Sequence, residues 1–189
     1  MVRRGFDIQG LISPGEADLL QKFAREQQDK FKSDLLEIGS WKGRSSVVIA
    51  SVLKEDHRLW MIDHFRGKPS YKTKFKRRGE PWAYPEVLEN VIKHKIQNNV
   101  IVLPLSSQLA ANIGLNEKFC FIFIDGNHTY EGVSRDWQLW SPHLEIGGVC
   151  LFHDCHYPPI QKFLEELKRQ KDLKVETRVR ILLAIRRLK

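Results

Sequence analysis

Five short polar segments follow apolar runs in this 189-residue chain, and their side chains are of the types that bind ligands or transfer protons. Carboxylates and imidazoles can accept a proton, attract a cation or ligate a metal ion. The segments lie at residues 37–39, 63–64, 106–107, 125–128 and 153–154. Because each one ends an apolar run, their joint chemistry depends on where the fold brings those ends.

The apolar runs alternate with amphipathic stretches. We predict short strands at 35–38, 59–62, 100–103, 119–124 and 148–152, and a closing hairpin at 175–185. Helices with an apolar face are predicted within 14–24, 46–53, 85–97, 133–144 and 160–167. This order predicts one Rossmann-like α/β domain over 1–189, with a helical segment at 1–33. Its doubly wound, mainly parallel sheet is flanked by helices and ends in antiparallel strands. Ligands bind beyond the carboxyl ends of such strands, so the five segments would form one site.

The segment from Glu37 to Ser45 has the form E-x-G-x-x-x-G-x-S. Gly39 and Gly43 permit a tight turn and a close approach of the backbone to a ligand, so a side chain at Gly39 is expected to clash with that ligand. Dinucleotide-binding enzymes carry G-x-G-x-x-G here, to bind a diphosphate. An acid at the strand end instead suits a cationic or hydroxyl-rich ligand. A purely structural glycine turn remains the alternative.

The other segments also allow two interpretations each. Asp63 could accept both hydroxyls of a ribose, or could cap a turn. Asp125 and His128 could bind a metal or move a proton, or could support a turn and helix start. His153 and Asp154 would lie opposite Asp125, where together with water they could complete an octahedral site for a divalent ion.

Three stretches together resemble the class I S-adenosylmethionine-dependent methyltransferases. They are LEIGSWKGRSS, LWMIDHF and FIFIDGNHTYEGVSRDWQLWSPHLEIGGVCLFHDC. The resemblance covers roughly residues 10–156 and is to the group that includes macrocin-type sugar O-methyltransferases, and more distantly to the catechol type. It implies S-adenosylmethionine as cofactor and O-methylation of a small molecule or sugar.

The resemblance also implies roles for single residues. The implied cofactor-binding residues are Glu37, Gly39, Ser40, Gly43, Ser45, Asp63, Ser107 and Asp125. Asp125 and His128 are the expected catalytic pair. Asp125 and Asp154 match carboxylates that hold a divalent ion, Mg or Mn, and His153 is our third candidate ligand. His153 replaces a residue that is often acidic in sugar-modifying relatives, and Cys155 replaces an asparagine of the catechol type.

Composition leaves further alternatives open. The net charge is +8, with seven basic residues at 66–78 and nine at 168–189. Such clusters could attract an anionic acceptor or nucleic acid, so an RNA methyltransferase or a basic nucleic-acid-binding module is a rival function. An NAD(P)-dependent oxidoreductase is a second rival, disfavoured by the missing glycine motif. We expect the basic insertion at 66–81 to be a mobile loop near the active site.

Cellular context is predicted from the cysteines and from the length of the apolar runs. Three cysteines without CxxC spacing fit a reducing cytoplasm. No run approaches the roughly 18–20 apolar residues of a membrane span. Whether the chain forms a homo-oligomer is left open.

Overall fold

One mixed sheet organises the computed structural model, which describes residues 4–66, 82–113 and 117–189. The strands are β1 Asp34–Ile38, β2 Leu59–Ile62, β3 Val100–Leu103, β4 Phe119–Ile124, β5 Leu144–Phe152, β6 Leu173–Val179 and β7 Leu182–Arg187. Their order across the sheet is β3-β2-β1-β4-β5-β7-β6. The first five strands are parallel, whereas β7 runs antiparallel to β5 and β6. The predicted fold class is therefore confirmed.

Helices cover both faces of the sheet. They are α1 Pro14–Gln28, α2 Arg44–Ala50, α3 Tyr84–Lys93, α4 Ser107–Asn112, α5 Tyr130–Trp140 and α6 Pro158–Leu167. Buried residues of α1, α2 and α3 form one apolar cluster, and those of α4, α5 and α6 form a second. The adjacent residues Leu35 and Leu36 fall into different clusters because strand side chains alternate between faces.

Apart from shifted element ends, two elements differ from the sequence-based prediction. Leu144 was expected on a helix, but it is the first residue of β5 and follows a short 3-10 turn at Ser141–His143. Pro142 in that turn lacks the N–H that a continuing α-helix would use. Helix α4 was not predicted, since it is short and buries only Ala110. Its N-cap is Ser106, whose hydroxyl accepts a hydrogen bond from the Leu109 N–H.

Two expectations concern loops and membranes. The basic insertion predicted to be a mobile loop lies outside the described residues except for Arg66. Within the described ranges, every helix is too short or too polar to cross a bilayer.

Candidate active site

A cavity of about 760 Å³ opens at the carboxyl edge of the parallel strands. It lies at the junction of β1 and β4, where the strand order reverses and where open α/β sheets bind their ligands. All five polar segments contribute to its wall through Gly39, Asp63, His64, Ser106, Ser107, Asp125, Gly126, Asn127, His128, His153 and Asp154. The fold thus joins segments that are more than a hundred residues apart in sequence, since Gly39 and Asp154 both line the cavity.

The turn after β1 brings the backbone against the neighbouring strand. Gly39 and Gly43 have φ values of 94° and 87°, a region that glycine enters without strain. A Cβ on Gly39 would lie 2.2 Å from the carbonyl oxygen of Asp125. A side chain at Gly39 would therefore clash with the Asp125 backbone even when no ligand is bound.

Asp63 stabilises this turn from the end of β2. Its Oδ2 accepts a hydrogen bond from the Trp41 N–H at 2.8 Å, and its Oδ1 accepts one from the Phe65 N–H at 2.6 Å. A carboxylate offers about four lone-pair sites, so these two bonds leave acceptor capacity. Asp63 therefore supports the turn and also presents a carboxylate to the cavity.

Glu37 lies beneath the turn rather than on the cavity wall. It is fully buried, and its carboxylate accepts a hydrogen bond from the Ser46 hydroxyl. Burial raises the pKa of Glu37 to about 7, although hydrogen bonds from Ser45, Ser46 and Ser40 oppose the rise. Glu37 thus fastens β1 to the first turn of α2.

Four side chains form what we call the β4–β5 end of the cavity: Asp125, His128, His153 and Asp154. The Nε2 atom of His128 lies 3.1 Å from Asp154 Oδ2 and 3.5 Å from Asp125 Oδ1. The His128 ring stacks on Tyr157 at a centroid distance of 5.5 Å. Among the described residues, Asp125, His128 and Asp154 form the group that could hold a metal ion, with ligand atoms within 4.8 Å of one another.

His153 lies behind this group. Its Nδ1 is 3.3 Å from Asp125 Oδ1, and its Nε2 is 3.9 Å from Oε1 of the buried Glu16. Burial would lower the pKa of His153, but Asp125 and Asp154 outweigh it and raise the pKa to about 10. Burial would likewise raise the pKa of Asp125, but contacts with His128 and His153 hold it below its usual value. The predicted ligand His153 thus lies beside both aspartates but outside the candidate metal group, which contains His128 instead. Its role as a metal ligand stays a prediction.

The opposite end, which we call the α4–α5 end, consists of Ser107, Gln108, Arg135 and Asp136. Ser107 accepts a hydrogen bond from the Trp140 indole N–H at 2.8 Å. When the Gln108 amide oxygen faces Arg135, it accepts hydrogen bonds of 2.9 and 3.1 Å from the guanidinium group. Sequence reasoning gave no role to Gln108, Arg135 or Asp136. The available signal was an acid between Val133, Trp137 and Trp140 on the apolar face of α5.

The described wall of the cavity is acidic although the protein is basic. It carries four aspartates, namely Asp63, Asp125, Asp136 and Asp154. Beside them lie the guanidinium group of Arg135 and His153, whose pKa is raised by Asp125 and Asp154 against the effect of burial. A ligand with positive charge or many hydrogen-bond donors fits such a wall, whereas a diphosphate would be repelled.

The family of the chain follows from a comparison with known proteins. A family model described as a methyltransferase domain matches residues 36–155, which is well over half of the chain. The chain belongs to this methyltransferase family. The methyltransferase predicted from the sequence is thereby confirmed, and the matched region contains the β1 turn, Asp63 and the whole β4–β5 end.

Solved structures share the fold of this methyltransferase. The O-methyltransferase NovP is 18% identical with a TM-score of 0.78, over 94% of this chain and 81% of NovP. An O-methyltransferase from Bacillus cereus in complex with SAH is 16% identical with a TM-score of 0.70, over 94% and 83% of the two chains. TomG from Streptomyces achromogenes, an O-methyltransferase in complex with SAM, is 16% identical with a TM-score of 0.70, over 95% and 82%.

The predicted cofactor residues of the methyltransferase divide into two groups. Those that line the cavity are Gly39, Asp63, Ser107 and Asp125. Those that lie outside its described wall are Glu37, Ser40, Gly43 and Ser45, which build the turn and the start of α2. Leu11 and Trp41 also line the cavity, and neither was predicted from the sequence.

Two arginines of the basic cluster at 168–189 stabilise the fold. Arg186 donates a hydrogen bond to the Gly147 carbonyl at 2.6 Å and forms an ion pair with Glu176 at 2.7 Å. Arg187 donates to the Leu144 carbonyl at 2.6 Å. These two arginines fasten the C-terminal hairpin to the start of β5.

Proposed function

We propose that the protein transfers the methyl group of S-adenosylmethionine to a hydroxyl oxygen of a small molecule or sugar. The observation that carries this proposal is the acidic cavity at the strand switch point of a chain that belongs to a methyltransferase family. Its structural neighbours NovP, TomG and the Bacillus cereus enzyme are O-methyltransferases, the latter two with SAM or SAH bound, and this supports the oxygen acceptor and the cofactor.

The residues present fit this cofactor. The cavity volume is within the range of about 300–1,000 Å³ that small-molecule sites occupy. S-adenosylmethionine supplies an electrophilic methyl group on a positively charged sulfur, and the aspartates of the wall would attract that charge. We assign the ribose hydroxyls to the remaining acceptor sites of Asp63, and the β1 turn from Gly39 to Gly43 to the methionine part.

The acceptor hydroxyl must lose its proton, and His128 is the side chain that we propose takes it. Asp154 and Asp125 hold one edge of its ring, and Tyr157 covers a face, so the imidazole has a fixed orientation. A positioned base of this kind contributes typically 10²- to 10⁴-fold to a rate. The rest of the acceleration would come from holding the two reactants in line.

The same three side chains could instead hold a divalent ion. Two carboxylates and an imidazole suit Mn²⁺ or a later transition metal better than Mg²⁺. Such an ion would supply Lewis acidity to the acceptor oxygen. His128 would then be a ligand rather than a base, so chelation distinguishes the two assignments.

Two features of the structure disfavour the two rival functions. A nicotinamide dinucleotide would bring its diphosphate against the acidic wall. A nucleic-acid surface on the C-terminal cluster would have to do without Arg186 and Arg187, which are engaged with backbone carbonyls. A reducing cytoplasm stays the proposed location, because the chain has three cysteines and all three are buried.

The test is transfer of a labelled methyl group from S-adenosylmethionine into separate pools of phenols, glycosides and total RNA, with and without chelator. We expect label in a phenol or glycoside pool. Label confined to RNA, or no transfer to any pool by a protein that also fails to bind the cofactor, would contradict the proposal.

A further inference from the structure

The loop of residues 6–12 brings an apolar side chain to the cavity wall that the proposed methyl transfer does not use. Leu11 lines the cavity, and 75% of it is exposed. A single exposed leucine on an ordinary surface needs no explanation, because much of any protein surface is apolar. Leu11 differs because Ile8 and Ile12 anchor its loop in the core on either side of it. The loop thus buries its isoleucines and leaves its leucine at the cavity.

One arginine fixes the backbone of this loop. Arg44, the first residue of α2, donates hydrogen bonds to the carbonyl oxygens of Ile8 and Gly10, each at 2.7 Å. A third hydrogen bond, of 3.3 Å, reaches the Ile12 carbonyl. A guanidinium group has five N–H donors in a rigid fork, so one side chain can hold several carbonyls in place. Leu11 is therefore presented to the cavity by a fixed backbone.

The loop extends from the β1 turn toward the β4–β5 end. Before the exposed leucine, Gln9 accepts a hydrogen bond of 2.8 Å from Lys42, which lies in the turn that we assign to the methionine part. After the leucine, the Ser13 hydroxyl donates to Glu16 at 2.7 Å, and Glu16 lies 3.9 Å from His153 of the β4–β5 end. The leucine therefore borders the space that an acceptor must enter to reach the methyl group.

The side chains at this part of the wall favour an apolar acceptor ring. Trp41 lines the cavity together with Leu11, and its backbone is held by the hydrogen bond from its N–H to Asp63. Leucine and tryptophan side chains gain free energy when an apolar ring covers them. The hydroxyl groups of a sugar would instead lose water against Leu11, whose side chain neither donates nor accepts a hydrogen bond.

We propose that Leu11 selects the acceptor and that the acceptor is a phenol, whose aromatic ring packs against Leu11 and Trp41 while its hydroxyl faces the β4–β5 end. Arg44 is a positioning residue for Leu11. In the reaction the phenol oxygen gains the methyl group and releases its proton to the β4–β5 end, and S-adenosylhomocysteine is the second product. The inference rests on the proposed function and narrows its acceptor from small molecules and sugars to aromatic hydroxyl compounds.

Titration calorimetry on the protein saturated with S-adenosylhomocysteine tests this proposal with two probes, 2-naphthol and methyl β-D-glucopyranoside. We expect the wild-type complex to bind 2-naphthol at least about tenfold more tightly than the glucoside. Leu11→Ala should weaken the binding of 2-naphthol roughly five- to tenfold, because it removes apolar contact area. The same variant should bind S-adenosylhomocysteine as the wild type does.

Gly10→Ala tests the positioning role of Arg44. Its Cβ would lie 2.7 Å from Arg44 Cδ and 2.9 Å from Arg44 Cβ, so the loop and the arginine must move apart. We expect faster amide hydrogen exchange in residues 6–12 and roughly fivefold weaker binding of 2-naphthol. Faster exchange with unchanged binding of 2-naphthol would overturn the positioning role.

Ile146→Ala is the matched control. Ile146 is also well exposed, at 62%, but it lies near the amino end of β5, whereas the cavity lies at the carboxyl ends of the strands. This variant should bind both probes as the wild type does. A wild-type complex that binds the glucoside as tightly as 2-naphthol, or that binds no 2-naphthol, would overturn the proposal. A folded Leu11→Ala protein with unchanged affinity for 2-naphthol would overturn it too. If the wild-type protein does not bind S-adenosylhomocysteine, the proposed function itself fails.

Discussion

At the β4–β5 end of the cavity two aspartates face two histidines, whereas at the α4–α5 end one aspartate faces a serine. The pKa of Asp125 is held below its usual value by His128 and His153 despite burial. Burial raises the pKa of Asp136, and the Ser107 hydroxyl and the charge of Arg135 only partly oppose it. The direction of the pKa shift of a buried acid therefore depends on its partners as well as on its burial.

This difference suits the two ends to different tasks. Acids paired with imidazoles can take up a proton or hold a cation, which is what activation of an acceptor hydroxyl requires. An acid whose described partner is a neutral hydroxyl can instead recognise a neutral donor. We therefore expect changes at the β4–β5 end to alter turnover and changes at the α4–α5 end to alter nucleoside affinity.

The largest expected effect is that of Asp154→Asn. It weakens the contact that orients His128 and removes a candidate metal ligand, so kcat should fall roughly 100-fold or more. The affinity for S-adenosylhomocysteine should stay within about threefold, since each H-bond to the ligand would be retained. Steady-state kinetics and calorimetry on the same preparation measure both. A variant that loses affinity but keeps kcat would reverse the roles of the two ends.

Metal removal sharpens the assignment within the β4–β5 end. If Asp125, His128 and Asp154 hold an ion, dialysis against chelator should lower activity at least about tenfold, and Mn²⁺ should restore it. Nucleoside binding at the α4–α5 end should be unaffected by the same treatment. Full turnover after exhaustive chelation would leave His128 as the proton acceptor.

The sequence predicted the β4–β5 end better than the α4–α5 end, for a physical reason. Asp125 and Asp154 directly follow apolar strands, and the ends of parallel strands must share an edge. Asp136 lies inside a helix, so its place on the wall depends on how α5 packs against α4. The orientation of His153 toward Glu16 depends in the same way on tertiary packing, because Glu16 is 137 positions away in the chain.

Gly126→Ala tests the space at the α4–α5 end. Its Cβ would lie 3.0 Å from Asp136 Oδ2, so the affinity for S-adenosylhomocysteine should fall roughly fivefold. Gly15→Ala is the control, because its Cβ would meet Val179 at an ordinary 3.5 Å. Calorimetry that gives equal affinities for both variants and the wild-type protein would argue against a ligand ring beside Gly126.

The smallest effect on ligand binding is expected from Glu37→Gln, because Glu37 faces neither end. Its pKa of about 7 in the folded protein exceeds the ordinary value of 4.5, so the folded state retains a proton that the unfolded state releases. Stability from this group is therefore lost as the pH rises from about 4.5 to 7. Glu37→Gln should flatten that decline in urea unfolding at pH 5 and pH 7.5. Glu165→Gln, a change at an exposed position, should leave that decline as it is in the wild type. If the unfolding free energy of Glu37→Gln fell between the two pH values as much as that of the wild type, Glu37 would not be the group responsible.

The central claim is that the acidic cavity of this methyltransferase binds a sulfonium nucleoside and not a dinucleotide. Calorimetric titration of the wild-type protein with S-adenosylmethionine and, separately, with NAD⁺ tests it most directly. We predict one S-adenosylmethionine bound per chain with an affinity on the order of micromolar, and no measurable heat with NAD⁺. Binding of NAD⁺, or the absence of S-adenosylmethionine binding by the folded protein, would contradict the claim.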